Sequence, residues 1–174
     1  MRTHKRLSHE NAPDPARSSA IVLPFTRERQ EQRPARAAAD HGSGIVPGRG
    51  ARIVIVEDEY LVALELESGL VEAGYEVVGA AATADEAVRL AQRERPSLLI
   101  MDIRLRGQRD GIDAAIEIYR TTGIRCVFAT AHSDAHTRAR AEPASPLGWV
   151  AKPYLADHVV SAVRRALDSL ATDG

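Results

Sequence analysis

Cysteine, aromatic residues and long apolar runs are scarce in this 174-residue chain. Its single cysteine, Cys126, excludes an intrachain disulfide framework and a cysteine-rich metal site, and its place inside an apolar run predicts burial. Aromatic residues are only 4% of the sequence, so Val, Ile, Leu and Ala must build the core. No segment approaches the roughly 18 apolar residues that span a bilayer, or forms a secretory signal. We therefore predict a cytoplasmic protein without membrane contact.

The chain also lacks a large net charge, which is -1 at pH 7, but its charges are unevenly distributed. Residues 1–50 carry nine Lys or Arg against five Asp or Glu, whereas residues 51–174 carry fourteen against nineteen. A mildly acidic domain is a poor general binder of nucleic acid. We therefore expect no direct DNA binding.

Residues 1–50 have the composition of an extension and linker. Five of the nine prolines fall here, and a segment of this kind cannot bury enough surface to offset its chain entropy. Its one apolar patch is the run Ile-Val-Leu-Pro-Phe at residues 21–25, which either docks on the domain or a partner, or belongs to an unstructured tail. We predict a disordered N-terminal extension over residues 1–50 and one folded domain over residues 51–174.

From residue 52 onward, apolar runs and helical patterns alternate five times. The buried strands are predicted at residues 53–56, 77–81, 98–102, 126–130 and 148–151. The first helical pattern consists of Leu61, Leu64, Leu66, Leu70 and Val71. Pro143 and Pro146 shorten or loosen the fourth helix. This alternation predicts an α/β fold with a five-stranded parallel sheet, helices on both faces and strand order 2-1-3-4-5.

Polar residues stand where these strands end. Glu57 and Asp58 follow strand one, Asp102 ends strand three, Thr130 ends strand four and Lys152 follows strand five. Each alone has a plainer explanation, as a helix cap, a turn residue or a loop residue. Parallel strands, however, place all their carboxyl ends at one edge of the sheet. We therefore expect three carboxylates, a hydroxyl and an ammonium group in one cleft.

The chemistry of such a cleft suits phosphoryl transfer. Three carboxylates repel one another, and a hard divalent cation with oxygen ligands, such as Mg²⁺, relieves that repulsion. Lys152 would hold one phosphoryl oxygen as a point charge, and Thr130 could donate a hydrogen bond to another. Asp102 is then placed as a nucleophile that forms an aspartyl-phosphate. Such a transfer needs positioning and charge neutralisation more than acid–base chemistry.

At these spacings the chain resembles the receiver domain of two-component response regulators, from residue 52 to about residue 171. The matching motifs are Ile-Val-Ile-Val-Glu57-Asp58-Glu59, Leu-Leu-Ile-Met-Asp102, Asp110-Gly111-Ile112, Phe-Ala-Thr130-Ala131 and Trp149-Val-Ala-Lys152-Pro153. The resemblance implies a flavodoxin-like receiver fold. The Phe-Ala-Thr triplet is also similar to that of a receiver subgroup linked to bacterial stress signalling and to divergent histidine kinases.

The resemblance implies a metal site and a phosphorylation site. Asp102 becomes the phosphoacceptor. Glu57 and Asp58 form the acidic pair that binds Mg²⁺ together with Asp102, and the backbone carbonyl of Arg104 is a further protein contact.

Three other residues acquire roles from the same resemblance. Thr130 and Lys152 contact the phosphoryl group, and Trp149 stands at the aromatic switch position, where the family usually has Tyr or Phe. The family's peptide bond at Lys152–Pro153 is often cis. Arg104 and His132 flank the position of attacking water, where they would set the phosphate lifetime or act as ordinary surface residues.

As a receiver, the protein would accept a phosphoryl group from a histidine kinase or phosphotransfer protein. Because the sequence ends with the last predicted helix, we expect no DNA-binding output domain. Output would instead pass through contacts with an unidentified protein, or through homodimerisation by helix four, strand five and helix five. The chain would not be an enzyme, since it would assist only its own phosphorylation and dephosphorylation.

Three other classes of protein share some of these features. A receiver fold used as a phosphorylation-independent docking module is kept open by the loose fourth helix and the long tail. A phosphohydrolase of the haloacid-dehalogenase kind also uses an Asp at a strand end, but it needs a second Asp where this chain has Arg104. A P-loop nucleotide binder is disfavoured because no Gly-x-x-x-x-Gly-Lys-Ser/Thr motif occurs.

Overall fold

The computed structural model of the chain describes residues 50–131 and 133–172. Its strands are β1 (Arg52–Val56), β2 (Glu76–Ala81), β3 (Leu98–Met101), β4 (Cys126–Thr130) and β5 (Gly148–Ala151). Its α-helices are α1 (Tyr60–Glu72), α2 (Ala84–Glu94), α3 (Gly111–Thr122), α4 (Ala135–Ala141) and α5 (Ala156–Thr172). The strands form one parallel sheet in the order β2-β1-β3-β4-β5, which confirms the predicted fold and strand order. The predicted N-terminal extension lies, except for Gly50, outside the described residues.

Both faces of the sheet are covered by helices. In β1, Val54 and Val56 belong to a core shared with α2 and α3, whereas Ile53 and Ile55 belong to a second core with α1 and α5. All four side chains are essentially inaccessible to solvent. Burial on both faces explains why the central strands are continuous apolar runs without polar alternation.

Helix α1 buries fewer of its leucines than its apolar pattern suggests. Leu66 and Leu70 lie in the core, but Leu61, Leu64 and Val71 are exposed. The helix is apolar on most of its circumference, so spacing alone does not identify the inward face. The outward residues leave apolar surface on α1.

Helix α4 is short, as its prolines predict. It begins after Asp134, whose side chain accepts a hydrogen bond from the amide of Thr137, and it ends at Ala141. A 3-10 turn with Pro143 near its start, Glu142–Ala144, continues the chain towards β5. Proline lacks the amide hydrogen that a continuing α-helix requires, so the helix cannot extend through this point.

Cys126 is buried in the core, and this burial raises the pKa of its thiol to about 12. In the part of the chain that the structure describes, no helix is both long and apolar enough to cross a membrane. The cytoplasmic location stays a prediction.

Candidate functional site

The polar residues predicted to share a cleft lie at the carboxyl edge of the sheet. Glu57 and Asp58 follow β1, Asp102 follows β3, Thr130 is the last residue of β4 and Lys152 follows β5. The Lys152 ammonium nitrogen lies 2.6 Å from the Glu57 Oε2 atom and 2.6 Å from the Asp102 Oδ2 atom. Side chains from β1, β3 and β5 therefore meet in one charged cluster.

Burial determines the electrostatics of this cluster. Glu57 and Asp102 are only 4% and 6% exposed. Burial raises the pKa of Glu57, and the hydrogen bond and charge of Lys152 only partly oppose that rise. Burial alone would lower the pKa of Lys152, but its hydrogen bonds to Asp102 and Glu57 outweigh burial and leave that pKa above its ordinary value. Lys152 therefore stays charged over the physiological range.

The acidic residues fit a divalent cation. Glu57, Asp58 and Asp102 each place one carboxylate oxygen within 4.8 Å of the other two. Such a group of hard oxygen donors favours Mg²⁺ over softer metals. The Arg104 amide donates a hydrogen bond of 3.2 Å to the Asp102 Oδ1 atom and so orients that carboxylate. The predicted role of the Arg104 carbonyl as a metal ligand stays a prediction.

Gly111, in the motif Asp110-Gly111-Ile112, lies against the backbone of the site. A Cβ atom added at Gly111 would lie 1.9 Å from the carbonyl oxygen of Asp102, closer than any real contact. The Gly111 amide also donates a hydrogen bond of 2.8 Å to the Ile103 carbonyl. The first turn of α3 therefore packs directly against the backbone that carries Asp102, and only glycine leaves room for this approach.

Thr130 and Trp149 lie on the neighbouring strands β4 and β5. Thr130 is buried, and its carbonyl accepts a hydrogen bond of 3.0 Å from the Lys152 amide. Trp149 stacks on Phe128 with ring centroids 4.7 Å apart, and the Arg138 guanidinium lies 4.8 Å from its ring centroid. The aromatic residue at the predicted switch position is thus in contact with both β4 and α4.

The Lys152–Pro153 peptide bond and His132 are two further positions with predicted features. The peptide bond between Lys152 and Pro153 is cis, as the resemblance to the receiver family suggested. His132, the second residue expected to flank attacking water, lies outside the described residues.

Sequence reasoning gave no specific role to Arg106. Its guanidinium donates a hydrogen bond of 2.9 Å to the Asp58 carbonyl oxygen, and its Nε atom lies 3.7 Å from an Asp58 carboxylate oxygen. Its backbone also forms a parallel bridge with Thr83. A basic residue four positions after Asp102, on a loop at the acidic edge, was the signal that could have indicated this contact.

Fold and site together define a class of protein: a doubly wound parallel domain with three clustered carboxylates and a lysine at the carboxyl edge of its sheet. The family model described as "Response regulator receiver domain" matches residues 53–164. The chain therefore belongs to the response regulator receiver family.

Two relatives of known sequence agree with this assignment. Transcriptional regulatory protein PdtaR of Mycobacterium tuberculosis is 39% identical over 67% of this chain and 56% of its own length. Phyllosphere-induced regulator PhyR of Methylorubrum extorquens is 34% identical over 72% of this chain and 47% of its own. The chain therefore spans about half the length of these curated relatives.

A solved structure shows the same fold. The signal receiver domain of a modulated diguanylate cyclase from Desulfovibrio desulfuricans is 32% identical. The match covers 72% of this chain and 99% of that one, with a TM-score of 0.66. The predicted subgroup defined by the Phe-Ala-Thr triplet stays a prediction.

Proposed function

We propose that this receiver accepts a phosphoryl group on Asp102 from a histidine kinase or phosphotransfer protein, with Mg²⁺ as its cofactor. The observation that carries the proposal is the position of the Lys152 ammonium group, 2.6 Å from a carboxylate oxygen of Asp102 within a group of three carboxylates. This arrangement pairs a nucleophile with a cation that can bind the incoming phosphoryl group.

The chain's own residues supply most of the chemistry. An Asp102 carboxylate oxygen forms a bond to phosphorus as the phosphorus–nitrogen bond of a phosphohistidine breaks, and the donor's imidazole leaves with the electron pair. Glu57, Asp58 and Asp102 would hold Mg²⁺, which when bound offsets the charge of the carboxylates and of the phosphoryl oxygens. Lys152 would exchange one of its two carboxylate partners for a phosphoryl oxygen, and Thr130 would donate a hydrogen bond to another phosphoryl oxygen.

Output would then pass through protein contacts. Trp149 touches both Phe128 in β4 and Arg138 in α4, so a movement of Thr130 at the end of β4 would reach the surface through these contacts. We propose an output protein that reads this surface, with dimerisation through α4, β5 and α5 as a further route. The chain would catalyse only its own phosphorylation and dephosphorylation.

The proposal is tested by incubating the full chain with acetyl phosphate and Mg²⁺ and measuring intact mass and Trp149 fluorescence. We expect one acid-stable, base-labile phosphoryl group on the wild-type chain and on Asp157→Asn, which changes an exposed carboxylate of α5. Asp102→Asn should gain none, and its fluorescence should not respond to the donor. Equal labelling of Asp102→Asn would refute the proposed site, and an unlabelled wild-type chain would favour the docking-module alternative.

A further inference from the structure

Helix α1 carries an apolar stripe beside the edge strand β2. Tyr60, Leu64 and Val71 are 56%, 44% and 49% exposed, and their spacing of four and seven residues places them on one face of the helix. Tyr60 and Leu64 also line a small apolar cleft with Val77 and Ala80 of β2. These five residues form what we call the α1–β2 groove.

The open side of this groove lies at the edge of the sheet. Strand β2 pairs with β1 on one side only, so its other side has no partner strand within the described residues. Proteins usually cover or charge such edges, and contiguous exposed apolar surface next to one indicates a binding surface.

The chain preceding the domain enters beside this groove. The Gly50 amide donates a hydrogen bond of 2.9 Å to the carbonyl of Gly74, which follows the end of α1, and the Glu76 amide donates one of 3.0 Å to the Ala51 carbonyl. Gly50, to which residues 1–49 are joined, therefore lies beside the residues that follow α1, three positions after Val71. Tethering raises the effective concentration of this segment at the groove.

The length and composition of that segment suit the groove. Tyr60 and Val71 are eleven residues apart on a helix, a span of about 16 Å. Five extended residues span about the same distance, and the apolar run at residues 21–25 has five. The 24 residues between that run and Gly50 are more than long enough for the chain to fold back and bring the run to the groove.

Charge favours the same occupant. Helix α1 contains Glu65, Glu67 and Glu72 and no basic residue. The apolar run is followed closely by Arg27 and Arg29, and residues 1–50 carry a net positive charge. Opposite charges around an apolar contact promote association and fix its orientation.

We propose that residues 21–25 of this chain dock in the α1–β2 groove as an extended segment. Pro24 lacks an amide hydrogen, which a segment at a sheet edge tolerates. Because the groove begins at Tyr60, two residues after Asp58, the docked segment and any partner that binds this side of α1 would exclude each other.

Hydrogen exchange on the full chain tests this contact without a phosphoryl donor or metal. We compare the wild-type chain with the double variant Leu23→Asp and Phe25→Asp, and with the matched control Ala37→Asp and Ala39→Asp, which adds the same charge elsewhere in the segment. Docking predicts that amides of α1 and β2 exchange at least about fivefold faster in the first variant only, while those of β4 and α3 are unchanged. Unchanged exchange in α1 and β2 overturns the proposal.

Disulfide trapping tests the same contact directly. Leu23→Cys is combined with Leu64→Cys in the groove, or with Leu155→Cys, an exposed residue next to the Ala156 that packs on the opposite side of α1 at Gly69. Buried Cys126 does not compete. Docking predicts an intramolecular disulfide that forms about tenfold faster with the groove cysteine. Equal rates, or disulfides that join two copies of the chain, overturn the proposal.

Discussion

The ammonium group of Lys152 partly neutralises the negative charge of the acidic pocket. Lys152 reaches both Glu57 and Asp102, whose carboxylates are almost fully buried. A buried carboxylate without a partner is strongly destabilising, so Lys152 stabilises the resting pocket. In the proposed function it would also bind a phosphoryl oxygen. Arrival of a metal ion or phosphoryl group would therefore change the partners of all three residues at once.

At the residue scale, Gly111→Ala should damage the site through the backbone. The added methyl would overlap the Asp102 carbonyl oxygen, so we expect a loss of about 3 kcal/mol in the free energy of unfolding. Phosphorylation by acetyl phosphate should also slow, because the displaced backbone carries Asp102. Urea unfolding and intact-mass labelling measure the two effects.

Gly148→Ala is the matched control. A Cβ atom there would meet only the Val127 methyl groups, at 3.8 Å or more. We expect a change of less than about 1 kcal/mol. If both variants lose the same stability, steric contact at Gly111 is not the cause.

At the scale of elements, ion pairs connect the start of α3 to α4. The Asp110 side chain accepts hydrogen bonds of 3.0 Å from the amides of Ile112 and Asp113, which caps α3. Arg140 of α4 donates to Asp110 at 2.7 Å and to Asp113 at 3.1 Å. The seven-residue helix α4 is too short to be stable alone, so these ion pairs connect it to the loop that follows Asp102.

Replacing Asp110 by Asn should change the acid dependence of stability. Burial alone would raise the pKa of Asp110, but hydrogen bonds from Arg140 and from the α3 amides outweigh burial and lower it. Its stabilising contribution is therefore present above about pH 4 and lost as the pH falls through the lowered pKa. Asp110→Asn still caps the helix, so at pH 7 it should cost only about 1 kcal/mol.

Urea unfolding at pH 7 and near pH 3 provides the measurement. The difference between wild-type chain and Asp110→Asn should shrink at the lower pH, whereas Asp157→Asn, at an exposed position of α5, should track the wild type at both. A difference that stays constant would contradict a lowered pKa at Asp110.

At the scale of the whole molecule, topology assembles the site. All five strands run in one direction, so the loops that follow β1, β3, β4 and β5 meet at one edge. Among the described residues, the pocket combines groups at the ends of four strands, so it forms only when these strands are assembled in the sheet. Binding of the proposed cation would therefore stabilise the folded domain.

Mg²⁺ should accordingly raise the thermal stability of the full chain. At a concentration ten times the Kd, binding to the folded state alone adds about 1.4 kcal/mol, a rise of about 5 °C in Tm for a domain of this size. Asp58→Asn removes one proposed ligand and should lose most of the rise. Differential scanning calorimetry measures both, with NaCl of equal ionic strength as the control; an equal rise in the variant would contradict the proposed ligands.

Much of the fold was predictable from particular residues. The apolar runs that end in Glu57, Asp102 and Thr130 identified three strands and the edge where they end, because central parallel strands are buried on both faces. The inward face of α5 was likewise predictable, since Val159 and Val163 are buried in the core as their spacing indicates. The inward face of α1 was less predictable. This helix is apolar on most sides, so the spacing of its apolar residues does not show which of them face the core.

The sequence by itself determined which groups stand at the carboxyl edge. The alternation of strands with helices makes the strands parallel, and each apolar run shows where its strand ends. Only the tertiary structure decided which of them touch. Lys152 contacts Asp102 and Glu57 across 50 and 95 positions of the chain, and Arg106 reaches Asp58 across 48. Such contacts depend on the packing of loops from different strands, and no local pattern of residues specifies that packing.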